Sequence, residues 1–333
     1  MLYSFHDGVL HGPDEVSSKF ETMVAALNES AEYCRTAGDP RIASIGMKEV
    51  LTTDPELQTL YCQYGSGYRQ LLETALESDH CWPLQEVGIH EYGSDSSYNE
   101  GFFRINEGYD TFMCRLSQDS NVRFGSKVHA VRTQPDGVIV QTEGRTYHGK
   151  EAIITIPPGA LKSGLQKGTF SLEPKLSLES RTSLRHINPG AITRLILTFR
   201  EQFWPAEMTS IITDQSTQVW WPADRENTLT AFIGGAPALG HAGKNEEELV
   251  VSALHELRMM FSLRREIKAL LIDAHVLRWT TMPNILGGYS SARPGGAGAR
   301  EKIRSNDPRV VFAGEAYVAD DDAGTVNGRS EEH

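Results

Sequence analysis

Apolar residues recur at helical spacing in the first part of the chain. The first such segment follows Pro13, and its apolar positions are Val16, Phe20, Val24 and Leu27. This spacing, with acidic residues in the first turn, predicts an amphipathic helix. A second helical segment covers residues 54–76 and is interrupted by Gly65 and Gly67. We therefore expect a helical subdomain over roughly residues 13–90.

Strand patterns begin after Gly101. Residues 101–116 indicate a short strand, a turn at Gly108 and then a helix. The Pro-Asp-Gly sequence at residues 135–137 separates two alternating runs and predicts a hairpin. An apolar strand that ends at Pro157 follows this hairpin.

Further strands are expected in the middle of the chain. In residues 191–199 the apolar positions do not alternate cleanly, and we expect this strand to be buried on both sides. The other predicted strands are 209–214, 217–222, 228–235 and 309–315. A helix is expected after Asn245, which is a suitable N-cap and precedes three glutamates. Strands and helices are interleaved, which indicates an α/β or α+β fold.

The composition is that of an ordinary globular protein. Of the 333 residues 39% are hydrophobic and 23% charged, and the mean hydropathy is -0.36. A formal net charge of -12 argues against a nucleic-acid partner and could steer a cationic substrate. No apolar run reaches the ~20 residues of a membrane helix, and the N-terminus does not resemble a secretory signal. A cytoplasmic location is therefore expected.

The four cysteines are widely spaced and have no CxxC pattern or nearby histidine cluster. They are typical of reduced intracellular thiols rather than of a zinc site or a disulfide framework. No metal is expected. The sequence does not indicate the oligomeric state.

Three separated blocks of the sequence carry a joint signal. The first joins NEGYDTFMCRL, the hairpin KVHAVRTQPDGVIVQT and the strand EAIITIPPGALK. The second is ITRLILTFREQFWP. The third joins RWTTMPNILGGYSSARPG to VVFAGEAYVADDDAGTVNG. Single pieces are weak signals, but in their joint order, over almost the whole chain beyond residue 95, the three blocks resemble the flavin-containing amine oxidase family of polyamine and monoamine oxidases.

The resemblance implies a noncovalent FAD cofactor and a set of residues that bind it. Val128 and the strand end at Pro157 would lie near the adenine, and Trp279 belongs to the family's Trp and Gly-x-Tyr loop. Gly314 allows close backbone approach, and the Glu315 carboxylate can accept from ribose or ribityl hydroxyls. The helix start with Thr325 and Val326 would face the pyrimidine edge of the flavin.

The implied activity is oxidation of a C–N bond in a small-molecule amine, which would be a polyamine, a monoamine or an amino-acid-like compound. Hydride would pass to the flavin, and dioxygen would reoxidise it. At the position of the family's lysine near flavin N5 this chain has Arg194. Arginine stays protonated, so Arg194 could hold a water or an anionic substrate group but could not act as a base.

Two further departures from the family concern the ends of the chain. The sequence contains no GxGxxG turn between a strand and a helix, the unit that holds the FAD pyrophosphate in the family. The terminal GTVNGRSEEH stops within its first helical turn. We therefore expect a chain truncated at the N-terminus and slightly at the C-terminus, which would be a truncated product, an incomplete gene model or a subunit completed by another chain. The alternative function is a flavin-free remnant or a non-catalytic binding protein.

The expected fold is mixed α/β, with an incomplete Rossmann-like FAD-binding domain interleaved with a mixed-sheet substrate domain that carries helices. Residues 1–100 would form the helical part of the substrate domain, and residues 101–165 the hairpin and strand of the FAD-binding domain. Residues 166–290 would form the substrate-domain sheet. Residues 291–333 would form the truncated C-terminal part of the FAD-binding domain.

Several of these residues also have a purely structural interpretation. Trp279 and Trp204 could be core aromatics, which is the commoner fate of a single tryptophan. The FAGE sequence could be only a strand end followed by a turn. Arg194 could be an ion-paired strand residue far from any flavin. The sequence leaves these alternatives open.

Overall fold

The structure is a computed structural model, and it describes residues 1–37, 39–93, 105, 107–223, 227–319 and 323. The predicted strand near residues 101–104 and the terminal residues 324–333 lie outside these ranges.

Helices fill the N-terminal part and recur between the strands. In the described residues they are α1 Pro13–Thr36, α2 Pro40–Ala43, α3 Met47–Thr53, α4 Pro55–Tyr64, α5 Ser66–His80, α6 Tyr109–Leu116, α7 Pro158–Lys167, α8 Leu178–His186, α9 Gly235–Gly240 and α10 Glu246–Met260. Short 3-10 turns lie at Leu84–Glu86, Ile89–Glu91, Ile267–Leu270 and Trp279–Thr281.

The strands belong to four sheets. In the described residues they are β1 Leu2–His6, β2 Val9–His11, β3 Val128–Gln134, β4 Gly137–Thr142, β5 Thr146–Gly149, β6 Ala152–Ile154, β7 Ser171–Glu173, β8 Ile187–Asn188, β9 Ile192–Phe199, β10 Ser210–Thr213, β11 Val219–Pro222, β12 Thr228–Gly234, β13 Leu271–Arg278, β14 Ser291–Ala292 and β15 Val310–Phe312.

The largest sheet has seven strands in the order β13-β9-β12-β11-β10-β1-β2. Only β1 and β10 are parallel, and the other neighbours are antiparallel, so the sheet is mixed. One face packs on α10 through Leu249, Ala253 and Leu257 in a common core with Leu195 and Leu197 of β9. The expected mixed α/β fold is confirmed.

Strand β9 corrects one expectation. Its first two residues are buried, but from Arg194 onward buried and half-buried residues alternate. Leu195, Leu197 and Phe199 enter the core, whereas Arg194 lies on the opposite face. The apolar composition suggested burial on both sides, but the second face, which carries Arg194, Ile196 and Thr198, is only half-buried.

The smaller sheets surround a second core. Strands β5-β4-β3-β7 form one sheet, β14 pairs with β8, and β15 pairs in parallel with β6. The hairpin predicted around residues 135–137 is confirmed by β3 and β4. Val131, Leu161, Phe170 and Phe312 meet in the core between these elements.

The N-terminal helices follow the sequence prediction closely. Helix α1 begins at Pro13, and Gly65 ends α4 before α5 begins at Ser66. Asn245 caps α10 in a reciprocal capping box with Glu248, as its position before the glutamates predicts. The edge hairpin β1–β2 was not predicted, because the segment is short and has little alternation.

Candidate active site

The parallel pair β6 and β15 brings two predicted site segments to one sheet edge. Both strands run in the same direction, and their last residues Ile154 and Phe312 are paired. Pro157 follows β6, and Gly314 and Glu315 follow β15. Because the carboxyl ends of parallel strands lie at the same edge, these predicted residues are neighbours. The Tyr317 hydroxyl donates to the Ile156 carbonyl across this edge.

A cavity of about 960 Å³ lies beside that edge. Val128 and Pro157, both predicted to lie near the adenine, line it together. Phe170 contributes to its apolar wall, and Pro283 and Leu286 close one side. The structure therefore unites these two predicted residues around a common space large enough for a heteroaromatic ring.

Glu315 is held by a serine on the opposite loop. Its Oε2 accepts from the Ser290 backbone N–H at 3.2 Å and from the Ser290 hydroxyl at 3.0 Å. Gly314 has φ 121°, and a Cβ placed there would meet nothing nearer than Tyr317 at 3.9 Å. The backbone before Glu315 is thus open to close approach, as expected for Gly314.

Behind Ser290 lies a buried ion pair. Arg300 is fully buried and donates to Glu91 through two nitrogens, at 2.7 and 2.8 Å. The Arg300 guanidinium also donates to the Ser290 carbonyl at 3.2 Å and to its hydroxyl at 3.4 Å. A chain of contacts therefore runs from Glu91 through Arg300 and Ser290 to Glu315.

The charge of Glu91 is strongly stabilised by its partner. Burial would raise the pKa of Glu91, but the charge and hydrogen bonds of Arg300, with smaller contributions from His90 and His80, lower it to about 2. The pKa of His80 falls to about 4, chiefly through burial. Glu91 is therefore ionised at neutral pH, and the pair is a fixed dipole behind Ser290.

Arg194 occupies the half-open face of the large sheet. Its guanidinium carbon lies 5.6 Å from the ring centre of Trp221 and 5.9 Å from that of Phe232. Its Nε is buried and has no hydrogen-bond partner among the described residues. Burial lowers the pKa of Arg194, and the nearby Tyr289 opposes this shift. Arginine nevertheless remains a cation.

Tyr289 connects the two arginine sites. Its ring stacks on Phe232 with centres 6.5 Å apart, and its hydroxyl donates to the Ser78 carbonyl at 3.1 Å. The next residue is Ser290, the partner of Glu315. Arg194 and Glu315 are thus joined through two consecutive residues of one loop.

That loop is pressed against the start of β9 at Gly190. This glycine has φ 68°, and a Cβ there would lie 2.2 Å from the Tyr289 carbonyl oxygen. The Gly288 N–H donates to the Gly190 carbonyl at 3.2 Å. No other residue type fits this contact without displacing the loop.

Trp279 begins the loop that runs from the end of β13 to the cavity beside Val128. It follows β13, and its carbonyl accepts from Met282 and Gly287. These bonds shape the loop that sends Pro283 and Leu286 to the cavity beside Val128. Trp279 itself is half-buried rather than a core residue, whereas Trp204 packs in the core with Phe199.

The remaining predicted residues, Thr325 and Val326, lie outside the described residues. The sequence did not single out Ser290, Arg300 or Glu91. Ser290 directly follows the Gly-x-Tyr pattern, which could have drawn attention to it. No local signal marks Glu91, because its partner lies 209 positions away.

The comparison with protein families decides the family. The family described as flavin containing amine oxidoreductase matches residues 46–328. The chain belongs to this family. The cofactor of the family is a flavin, in agreement with the resemblance seen in the sequence.

Individual relatives are identical to the chain at about a quarter of the aligned positions. Polyamine oxidase 5 of Oryza sativa subsp. japonica is 26% identical over 327 residues, which are 95% of this chain and 64% of that protein. Lysine-specific histone demethylase 1 homolog 1 of the same organism is 26% identical over 255 residues, 72% of this chain and 30% of that protein. The chain thus spans less than two thirds of the length of these relatives.

Solved structures share the fold. Cyclohexylamine oxidase from Brevibacterium oxydans IH-35A matches with a TM-score of 0.78 at 16% identity, over 98% of this chain and 78% of that one. Wild-type putrescine oxidase bound to putrescine matches with a TM-score of 0.74 at 15% identity, over 98% of this chain and 79% of that one. This likeness establishes the architecture.

Neither a membrane-spanning helix nor a group of metal-ligating side chains occurs in the part of the chain that the structure describes. In those ranges no helix is long and apolar enough to cross a membrane. No three His, Cys, Asp or Glu side chains of the described part are grouped as a metal ion would require.

Proposed function

We propose that the protein oxidises the C–N bond of a small-molecule amine with noncovalent FAD. The observation that carries this proposal is that Arg194 and Tyr289 both pack on Phe232, and that Ser290, the residue after Tyr289, binds Glu315. This arrangement joins an aromatic substrate face to the sheet edge at which Pro157 and Gly314 meet. An amine and the reactive end of a flavin would lie on either side of this connection.

The residues present fit a flavin nucleotide in two places. The open backbone at Gly314 and the Glu315 carboxylate would hold the sugar-like chain. Val128 and Pro157 would enclose the adenine in the apolar cavity. Thr325 and Val326 would complete the pyrimidine end, as the family resemblance implies. When bound, the flavin supplies the two-electron oxidant, and dioxygen restores it.

The protein's own side chains position the amine and exclude water from it. Trp221, Phe232 and Tyr289 form an apolar wall that keeps water from the amine carbon. Arg194 donates hydrogen bonds from the same face and removes no proton, because its guanidinium stays charged. The amine must therefore lose its proton to solvent or to another group before oxidation.

A flavin titration tests the cofactor part of this proposal. We expect the purified chain to take up FAD and turn yellow, with flavin absorbance bands and quenched flavin fluorescence. Glu315→Ala should weaken FAD binding about tenfold, because it removes a charged acceptor. Glu301→Ala, on an exposed residue of the same region, is the matched control. Equal FAD affinity in both variants would remove Glu315 from the site.

Oxygen consumption and peroxide release test the reaction. A flavin-loaded preparation should produce peroxide from an amine and stop when dioxygen is removed. Arg194→Lys restores the residue type that the family carries at this position and should raise turnover of simple amines. Unchanged turnover would show that Arg194 does not occupy the catalytic lysine's place.

A second candidate function is a flavin-free binding protein. It is favoured by one observation: the 333 residues contain no GxGxxG turn for the pyrophosphate. A colourless preparation that does not take up added FAD would support this function. Retained secondary structure in that preparation, measured by circular dichroism, would exclude misfolding as the cause.

The net charge and the free cysteines support proposals about the type of partner and the cellular compartment. The net charge of -12 disfavours nucleic acid, and we propose that a small molecule is the only substrate. Cys34, Cys62, Cys81 and Cys114 are all free thiols. Free thiols are typical of a reducing compartment, and we place the protein in the cytoplasm.

A further inference from the structure

Arg194 is half-buried, yet it lacks the carboxylate partner that several other arginines of this protein have. Among the described residues Arg300 pairs with Glu91, Arg309 with Asp307 and Arg132 with Glu173. In the same ranges no carboxylate lies within ion-pair distance of Arg194, and nothing accepts from its Nε. A partly buried cation without an anion is costly unless a ligand supplies one.

Aromatic rings compensate only part of this cost. Trp221 and Phe232 present their rings to the guanidinium at 5.6 and 5.9 Å, within the range of a cation–π interaction. Their ring faces attract the charge but accept no conventional hydrogen bond from Nε. The rings therefore fix the guanidinium in place and leave its donors available to an oxygen ligand.

The surroundings also define the rest of the ligand. Arg194, Trp221, Phe232 and Tyr289 are all half-buried and lie together on the open side of the large sheet. Three aromatic side chains around one cation suit a molecule with an anionic end and an apolar body. A second cation at the same place would be repelled, so a polyamine that extends to Arg194 is disfavoured.

We propose that Arg194 binds the carboxylate of the substrate, so that the amine oxidised is amino-acid-like. This inference rests on the proposed amine oxidation for the identity of the reacting group. The recognition itself rests only on the unpaired guanidinium and the aromatic wall. A planar fork of donors matches a carboxylate in two hydrogen bonds, which an ammonium or amide group cannot provide.

Calorimetric titration of the full chain tests the recognition without turnover. The probes are 3-phenylpropionate and 3-phenylpropylamine, which share an apolar body and differ in charge. Wild type should bind the carboxylate about tenfold to 100-fold more tightly than the amine, because two charge-assisted hydrogen bonds form only with the former. The titration is repeated with FAD present.

Two variants locate the binding. Arg194→Met should reduce affinity for 3-phenylpropionate about tenfold or more, and Arg194→Lys should retain part of it. Arg265→Met is the matched control, because Arg265 is exposed and pairs with Glu201. Circular dichroism and thermal unfolding verify that each variant is folded. No binding by wild type, or equal binding by wild type and Arg194→Met, overturns the inference.

Turnover separates this inference from the proposed function. With flavin-loaded protein, phenylalanine should be oxidised with a higher kcat/KM than 2-phenylethylamine, and Arg194→Met should remove that preference. If the carboxylate binds through Arg194 but neither amine is oxidised, the proposed function fails and the anion site stands. If both amines are oxidised equally well by wild type and by Arg194→Met, the function stands and the anion site fails.

Discussion

Arg194 and Arg300 differ in how their guanidinium groups are paired within this fold. Arg300 is fully buried, has a two-point ion pair with Glu91 and donates to Ser290. Arg194 is half-buried, lies between aromatic rings and has a buried Nε without a partner in the described residues. The loop of Tyr289 and Ser290 contacts Arg300 directly, and it approaches Arg194 through Phe232, on which Tyr289 stacks.

The difference distinguishes a structural charge from a binding charge. A satisfied pair fixes neighbouring groups, because breaking it leaves a buried ion behind. An unsatisfied cation contributes little to folding and gains its partner when a ligand arrives. Arg300 should therefore matter most for stability, and Arg194 for recognition.

The largest effect is expected at Arg300. Arg300→Met removes the partner of the buried Glu91 and should lower the free energy of unfolding by about 3–5 kcal/mol. Urea denaturation followed by circular dichroism measures this change. Arg304→Met, on an exposed neighbour, should stay within about 0.5 kcal/mol of wild type. A loss at Arg300 no larger than at Arg304 would contradict the assignment.

Acid should weaken the same pair. Since the pKa of Glu91 is about 2 in the folded state and 4.5 ordinarily, its contribution is complete above pH 4.5 and is lost as the pH falls towards 2. At about 1.36 kcal/mol per pKa unit the loss amounts to about 3 kcal/mol. Urea midpoints measured over this window should fall less steeply in Glu91→Gln. His80, with a lowered pKa of about 4, adds a loss that begins at higher pH.

A smaller effect, on FAD affinity, is expected at Ser290, which lies between the Arg300–Glu91 ion pair and Glu315. Ser290→Ala removes one of the two hydrogen bonds to Glu315 and should weaken FAD binding by about 1 kcal/mol, roughly fivefold. Fluorescence titration with FAD measures this change. Ser252→Ala, on the exposed side of α10, is the control. Identical FAD affinity in the two variants would separate Ser290 from cofactor binding.

The smallest change in stability is expected at Arg194. Arg194→Met replaces an unpaired cation by an apolar side chain between aromatic rings, so the free energy of unfolding should stay constant or rise by up to about 1 kcal/mol. Thermal unfolding of wild type and variant measures it. A decrease of about 2 kcal/mol or more would mean that Arg194 already has a folding partner, and the contrast with Arg300 would disappear.

Local patterns were sufficient to predict most elements. The apolar spacing after Pro13, the cap at Asn245 and the turn at residues 135–137 each encode an element in a few neighbouring residues. The edge hairpin β1–β2 was missed because its strands are short and alternate little. Strand β9 was predicted to be too deeply buried because composition does not reveal which sheet face stays open.

Site residues could be predicted from the sequence only where they belong to a local sequence motif. Glu315 and Gly314 follow a strand end with a known pattern, and the parallel pairing of β6 and β15 places them beside Pro157. The pairing of Arg300 with Glu91 is set by tertiary packing, and nothing in either local sequence marks it. Arg194 was singled out by comparison, but its unpaired Nε became visible only in three dimensions.

The close contact between Gly190 and the Tyr289 carbonyl restricts position 190 to glycine. Any side chain at this position would place its Cβ 2.2 Å from the Tyr289 carbonyl oxygen and would force that carbonyl away by about 1 Å. Tyr289 and Ser290 would shift as one unit, so the aromatic wall and the grip on Glu315 would be misaligned together. A single added methyl group at a position that touches neither arginine can therefore disable two recognition elements at once.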